Sequence, residues 1–127
     1  VPIIEPEISI SSTHKAEAED ILLESLTSHL DSLKSDDKVI LKLTLPETSN
    51  QYASLTPHEN VMRVVALSGG YSRQEANVRL SQNDAMVASF SRALTEGLSA
   101  SQSDSDFNET LSQTITEIFN ASVSGFR

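Results

Sequence analysis

Residues 38–46 read Lys-Val-Ile-Leu-Lys-Leu-Thr-Leu-Pro, a β-strand that is apolar on both faces except for Lys42 near its far end. A run of Val, Ile and Leu without polar alternation suits a parallel sheet covered on both sides, where an unpaired ammonium group is costly. Burial lowers the pKa of a lysine, and an amine left partly neutral attacks carbonyls to give a Schiff base. The plainer reading of Lys42 is a strand-end residue that reaches water along its aliphatic stem.

Upstream of this strand, Ala18, Leu22, Leu26, Leu30 and Leu33 recur at helical spacing, which predicts an amphipathic helix over 15–33. Ser35, Asp36 and Asp37 then connect it to the strand, giving a strand, helix, parallel strand unit. The first strand of that unit is 1–8, Val-Pro-Ile-Ile-Glu-Pro-Glu-Ile. Pro6 keeps Glu5 extended, so Glu5 and Glu7, two apart, share a face. Carboxylates also decorate ordinary solvated strand ends.

Downstream, a polar segment holds one short helical piece around 51–55, broken by Thr56-Pro57. Residues 61–67, Val-Met-Arg-Val-Val-Ala-Leu, form a third apolar strand that runs into Ser68-Gly69-Gly70. Ser72 and Glu75 have the spacing of a capping box, so a helix starts there and runs to about Ser81. Paired glycines between strand and helix let backbone N–H groups approach a phosphate, although a plain tight turn needs the same residues. The fourth strand is expected over 85–91, ending beside Arg92, whose guanidinium can grip a phosphate or simply open a helix at the surface. A short helical pattern covers 93–98. Phe107, Leu111, Ile115 and Ile118 mark one face of a last helix, and the tail from Ser122 to Arg127 is expected to fray.

The 127 residues are enough for one domain with a core. No apolar run approaches the roughly 20 residues of a membrane span, and Val1 opens directly on strand-like residues without a basic leader, so a soluble, cytoplasmic protein without membrane contact is expected. A net charge of −9 argues against nucleic acid as a partner. There are no cysteines, and His14, His29 and His58 lack metal-ligand spacing, so neither a metal nor another cofactor is expected.

Four strands, each followed by helical or connecting material, repeat the β/α unit of an α/β fold of the (β/α) TIM-barrel type. A barrel of eight such units takes about 250 residues, so 1–127 corresponds to half of one. Its outer strands would be unpaired edges, to be completed by a missing half or by a second copy. The structural rival is a four-stranded parallel sheet with helices on both faces. In either architecture ligands gather at the carboxyl ends of the strands, where Glu5, Lys42, Ser68-Gly69-Gly70 and Arg92 all fall.

These residues resemble the class I (Schiff-base) fructose-bisphosphate aldolases, in particular their shorter bacterial members. The carriers are Val-Pro-Ile-Ile-Glu-Pro-Glu at 1–7, Leu-Lys at 41–42, Leu-Ser-Gly-Gly at 67–70 and Ser-Arg-Ala-Leu at 91–94, in order along nearly the whole chain. The resemblance implies that this is the C-terminal half of the enzyme, with Lys42 as the Schiff-base lysine and Glu5 as the acid/base of carbinolamine chemistry. It makes Glu7 an auxiliary carboxylate. Ser68, Gly69 and Gly70 would hold a substrate phosphate, with the charge from Arg92 beside Ser91, where family members often have glycine. Larger members end in a tyrosine that reaches the site, whereas this chain ends Ser-Gly-Phe-Arg.

The activity implied is reversible cleavage of fructose 1,6-bisphosphate to dihydroxyacetone phosphate and glyceraldehyde 3-phosphate, in glycolysis and gluconeogenesis. The alternative is a non-catalytic, phosphate-binding half-barrel fragment that self-associates.

Overall fold

The computed structural model describes residues 1–124. Four parallel strands form one sheet in the order β1 (Ile3–Ile4), β2 (Val39–Thr44), β3 (Val61–Leu67) and β4 (Met86–Ala88). The helices are α1 (Lys15–Asp31), α2 (Arg73–Ser81), the short α3 (Arg92–Thr95) and α4 (Asp104–Ser124). A single 3-10 turn, Ala53–Leu55, stands between β2 and β3 in place of a crossover helix.

Spatial order follows chain order, without the reversal that gives a doubly wound sheet its switch point. One core cluster explains the layering. It joins Leu41 and Leu43 of β2 and Val64 and Ala66 of β3 to Leu30 of α1, Ala76 and Leu80 of α2 and Ala121 of α4. Each fully buried leucine here is worth roughly 1.5–3 kcal/mol relative to exposure. The helices therefore cover one face of the sheet, and the expectation of a strand sealed on both sides is corrected. Along β2, Leu41 and Leu43 are buried while Ile40 and Lys42, which alternate with them, stay partly open on the other face. Among the described residues no helix covers that second face, which also disposes of the rival with helices on both sides.

The ladder pairs Ile3 with Ile40, and Lys42 with Val65, which pairs in turn with Val87. A register shift between Val39 and Ile40 leaves Met62 as the extra residue of β3. The first and fourth strands are shorter than the expected 1–8 and 85–91. For β1 the cause is Pro6, which has no N–H to donate to a ladder. Beyond it the chain folds back instead: Ile8 N donates to Thr44 Oγ1 at 2.9 Å, and that hydroxyl, on a buried side chain, donates to Ile8 O at 3.2 Å.

Ser72 caps α2 as the spacing predicts, accepting a hydrogen bond from Glu75 N at 3.2 Å. The packed face of α4 agrees with expectation at Ile118 and departs from it elsewhere. Thr114, Ile118, Ala121 and Ser122 are buried, while Phe107 and Ile115 are exposed. Nor does the chain fray from Ser122, whose Oγ accepts from Ala88 N at 3.1 Å, holding the end of α4 against β4. The remainder of the expected tail, 125–127, lies outside the described residues.

Candidate active site

At the carboxyl ends of the strands lies a cavity of about 110 Å³ lined by Glu5, Glu7, Lys42, Leu67, Ser68, Gly69, Ser89, Ser91 and Arg92. Two residues beyond the paired Ile3 and Ile40, Glu5 and Lys42 project from neighbouring strands on the open face. Lys42 Nζ stands 3.2 Å from Glu5 Oε2. The lysine is half-buried rather than sealed away, with 26% of its side chain accessible.

The turn after β3 supplies the next wall. Ser68 is buried and its carbonyl accepts from Tyr71 N at 3.0 Å. Gly69 and Gly70 have φ of +63° and +104°, conformations open to glycine and strained for other residues. A Cβ on Gly69 would meet Ile10 Cγ2 at 3.1 Å, so the turn also needs glycine for space. Gly70 stands behind the wall rather than in it, between Ile10 and the Arg92 guanidinium. Arg92 opens α3 and is exposed; its carbonyl accepts from Thr95 Oγ1 at 3.3 Å, while its guanidinium has no hydrogen-bond or ion-pair partner among the described residues. One lining residue, Ser89, carried no sequence signal. It follows β4 and is held by its N–H to Ala66 O at 2.8 Å.

The carboxylate, amine, glycine turn and guanidinium can together bind an anion at one end and transfer protons at the other. Among the described residues no group of three His, Asp or Glu is arranged to hold a metal ion. The histidines have local work. His58 Nδ1 accepts from Asn60 N at 3.1 Å, which leaves Nε2–H to face Asp31 at 3.2 Å. No helix among the described residues is long and apolar enough to cross a membrane.

Behind the cavity runs an ionic network that the sequence reading missed. Lys15 and Glu19 on α1 form a buried ion pair. Lys15 Nζ also donates to Leu45 O at 2.7 Å, and Glu19 Oε2 accepts from Glu47 N at 2.9 Å, so both partners hold the chain just past β2.

The chain as a whole has relatives among known enzymes. The chain is 54% identical over 123 residues to a "Fructose-bisphosphate aldolase class 1" of Synechocystis sp., a match covering 97% of the chain and 41% of that relative. This chain is similar to the class 1 fructose-bisphosphate aldolases along nearly its whole length. A second protein of the same name, from Clostridium acetobutylicum, is 53% identical over 123 residues, covering 97% of the chain and 42% of the relative. The chain thus spans well under half the length of the aldolases it matches. No family model matches it.

Proposed function

We propose that this chain is the C-terminal half, one domain over 1–127, of a class I fructose-bisphosphate aldolase with a TIM-barrel fold. The observation that carries the reading is the 3.2 Å approach of Lys42 Nζ to Glu5 Oε2 beside a glycine turn and the unpartnered Arg92 guanidinium. Glu5 accepts a proton from the Lys42 ammonium, and the freed amine attacks the ketose carbonyl carbon. The carbinolamine hydroxyl leaves as water on taking a proton back from Glu5, giving an iminium ion. A carboxylate, Glu5 or its auxiliary Glu7, takes the proton of the C4 hydroxyl. The C3–C4 pair then moves into the iminium, releasing glyceraldehyde 3-phosphate and leaving an enamine. Reprotonation at carbon and hydrolysis release dihydroxyacetone phosphate and restore Lys42. Ser68 and Gly69, with Gly70 behind them, and Arg92 beside Ser91 hold the phosphate.

In this reading the protein works in the cytoplasm, in glycolysis and gluconeogenesis, without metal or cofactor. The remaining strands come from the enzyme's N-terminal half or from a second copy. Support for such a partner lies at both sheet edges: an apolar groove of about 300 Å³ lined by Ile4, Leu26, Leu30 and Leu33 beside β1, and another of about 300 Å³ lined by Phe90, Leu94, Ile115 and Phe119 beside β4.

Borohydride trapping with dihydroxyacetone phosphate, read by mass spectrometry of the intact chain and its peptides, tests the chemistry. An adduct confined to Lys42 and absent from Lys42→Ala is expected; an adduct retained in that variant refutes the assignment. The two apolar grooves at the sheet edges favour one second reading, a phosphate-binding half-barrel that self-associates without turnover. Folded protein that binds sugar phosphate but gives no adduct is the outcome that selects it.

A further inference from the structure

The carboxylate of Glu47, just past β2, is reached from three directions. Lys15 Nζ of α1 stands 3.3 Å from it, a guanidinium nitrogen of Arg79 on α2 stands 3.5 Å away, and Tyr71 Oη donates to it at 3.2 Å. Arg79 also donates to Pro46 O at 3.2 Å and lies over the Tyr71 ring at 4.4 Å from its centre. Tyr71 in turn closes the glycine turn through its N–H to Ser68 O. The strand that bears Lys42 and the turn that bears Ser68 and Gly69 are therefore joined, beyond the end of their ladder, through one carboxylate.

A substrate with a carbonyl at one end and a phosphate at the other would be held by both strands at once. The distance between the two grips then decides whether the carbonyl meets the amine, and a misplacement of about 1 Å can cost on the order of 100-fold in rate. The β2–β3 ladder sets this distance only as far as Thr44 and Leu67. Past Leu67, the turn holds two glycines at positive φ and is closed by the Tyr71 N–H to Ser68 O bond, so the side chain of Tyr71 bears on where it sits.

We propose that Glu47, Tyr71 and Arg79 are positioning residues that set the separation between the Ser68-Gly69 turn and Lys42, so that a phosphate held in the turn presents its ketone to the amine. The proposal rests on the imine reading above. The ionisation states agree with it. Burial pushes the Tyr71 hydroxyl up to about 12, so it stays a donor. Burial also acts to raise the Glu47 carboxyl, but Lys15 and Arg79 outweigh that and hold it below its ordinary value, so it stays charged.

The test compares borohydride trapping rates with dihydroxyacetone phosphate and with unphosphorylated dihydroxyacetone, in wild type, Tyr71→Phe and Glu47→Gln. Both variants are expected to slow trapping of the phosphorylated ketone about ten-fold or more, with the unphosphorylated one changed less than about two-fold. Equal loss with both ketones signals general loosening and overturns the proposal, as does unchanged trapping. If Glu47→Gln fails to fold, judged by circular dichroism, Tyr71→Phe decides alone, since it keeps the ring under Arg79. Wild-type protein that traps neither ketone overturns the imine reading, and this inference with it. Wild type that traps the phosphorylated ketone preferentially while the variants match it overturns the inference alone.

Discussion

Glu5 and Lys42 face each other across adjacent parallel strands, carboxylate to ammonium at 3.2 Å, at the mouth of the cavity. Glu5→Gln keeps the shape and removes the proton acceptor. General acid–base groups typically contribute about 10²–10⁴ in rate, so adduct formation at Lys42 is expected to slow about 100-fold or more while still occurring. A quench-time series of borohydride trapping measures this, and trapping at the wild-type rate would show that Glu5 is not the proton carrier.

Gly69→Ala places a methyl group at φ of +63° and 3.1 Å from Ile10 Cγ2. Left-handed backbone costs a residue with a Cβ about 1–2 kcal/mol, and the contact adds to it. A lower urea midpoint at an unchanged slope is the expected result. An unshifted midpoint would mean that the turn relaxes freely and that its glycines are not required by conformation.

Lys15→Met strands Glu19 as an uncompensated buried charge, and losing one partner of such a pair costs about 3–5 kcal/mol. The double variant Lys15→Met/Glu19→Leu should lose less than the two single losses added together, because no lone charge remains. Chemical denaturation of the four proteins in the cycle gives the coupling directly. Additive losses would show that the pair acts as two independent contacts to Leu45 O and Glu47 N.

Glu47 titrates lower in the fold than its ordinary value of 4.5, because Lys15 and Arg79 overcome the effect of burial. Its charged form is the stabilising one. That contribution is complete above 4.5 and disappears as pH falls through the depressed folded value. The gap in urea midpoint between wild type and Glu47→Gln should hold steady down to about pH 5 and close in more acid solution. A gap independent of pH would mean that the glutamine loses packing rather than charge.

Local signals in the sequence were the ones that translated well. Val61–Leu67 and the Ser72 cap were legible because an unbroken apolar run and a capping box need only neighbours a few residues away. Lys15 and Glu19 have the spacing of an ordinary solvated pair on a helix, and their burial depends on residues 45–47 packing over them, a long-range event that no periodicity announces. On α4 the spacing of Phe107, Leu111, Ile115 and Ile118 points to one apolar face, and Ile118 does lie inside, but with small Ala121 and polar Thr114 and Ser122, while Phe107 and Ile115 are exposed. The motif residues of the cavity were readable from their strand ends. Ser89 was not, since a serine after a strand looks the same whether or not it faces a cavity.

Because each strand lies beside its predecessor in the chain, no pairing has to wait for a distant segment to arrive. The loop to be closed before each new pairing is one repeat long, and closure entropy rises with that length rather than with the length of the chain. Folding can therefore advance stepwise from its longest ladder, β2 with β3, outward to the short β1 and β4. Truncations of Leu43 and Val64 are expected to slow refolding, whereas truncations of Ile4 and Met86 should mainly speed unfolding, a contrast that stopped-flow chevrons resolve. Equal effects on refolding would contradict this order. The strands that nucleate would be the two that carry Lys42 and lead into the glycine turn, so the end of the sheet that holds the candidate site would take shape before its edges do.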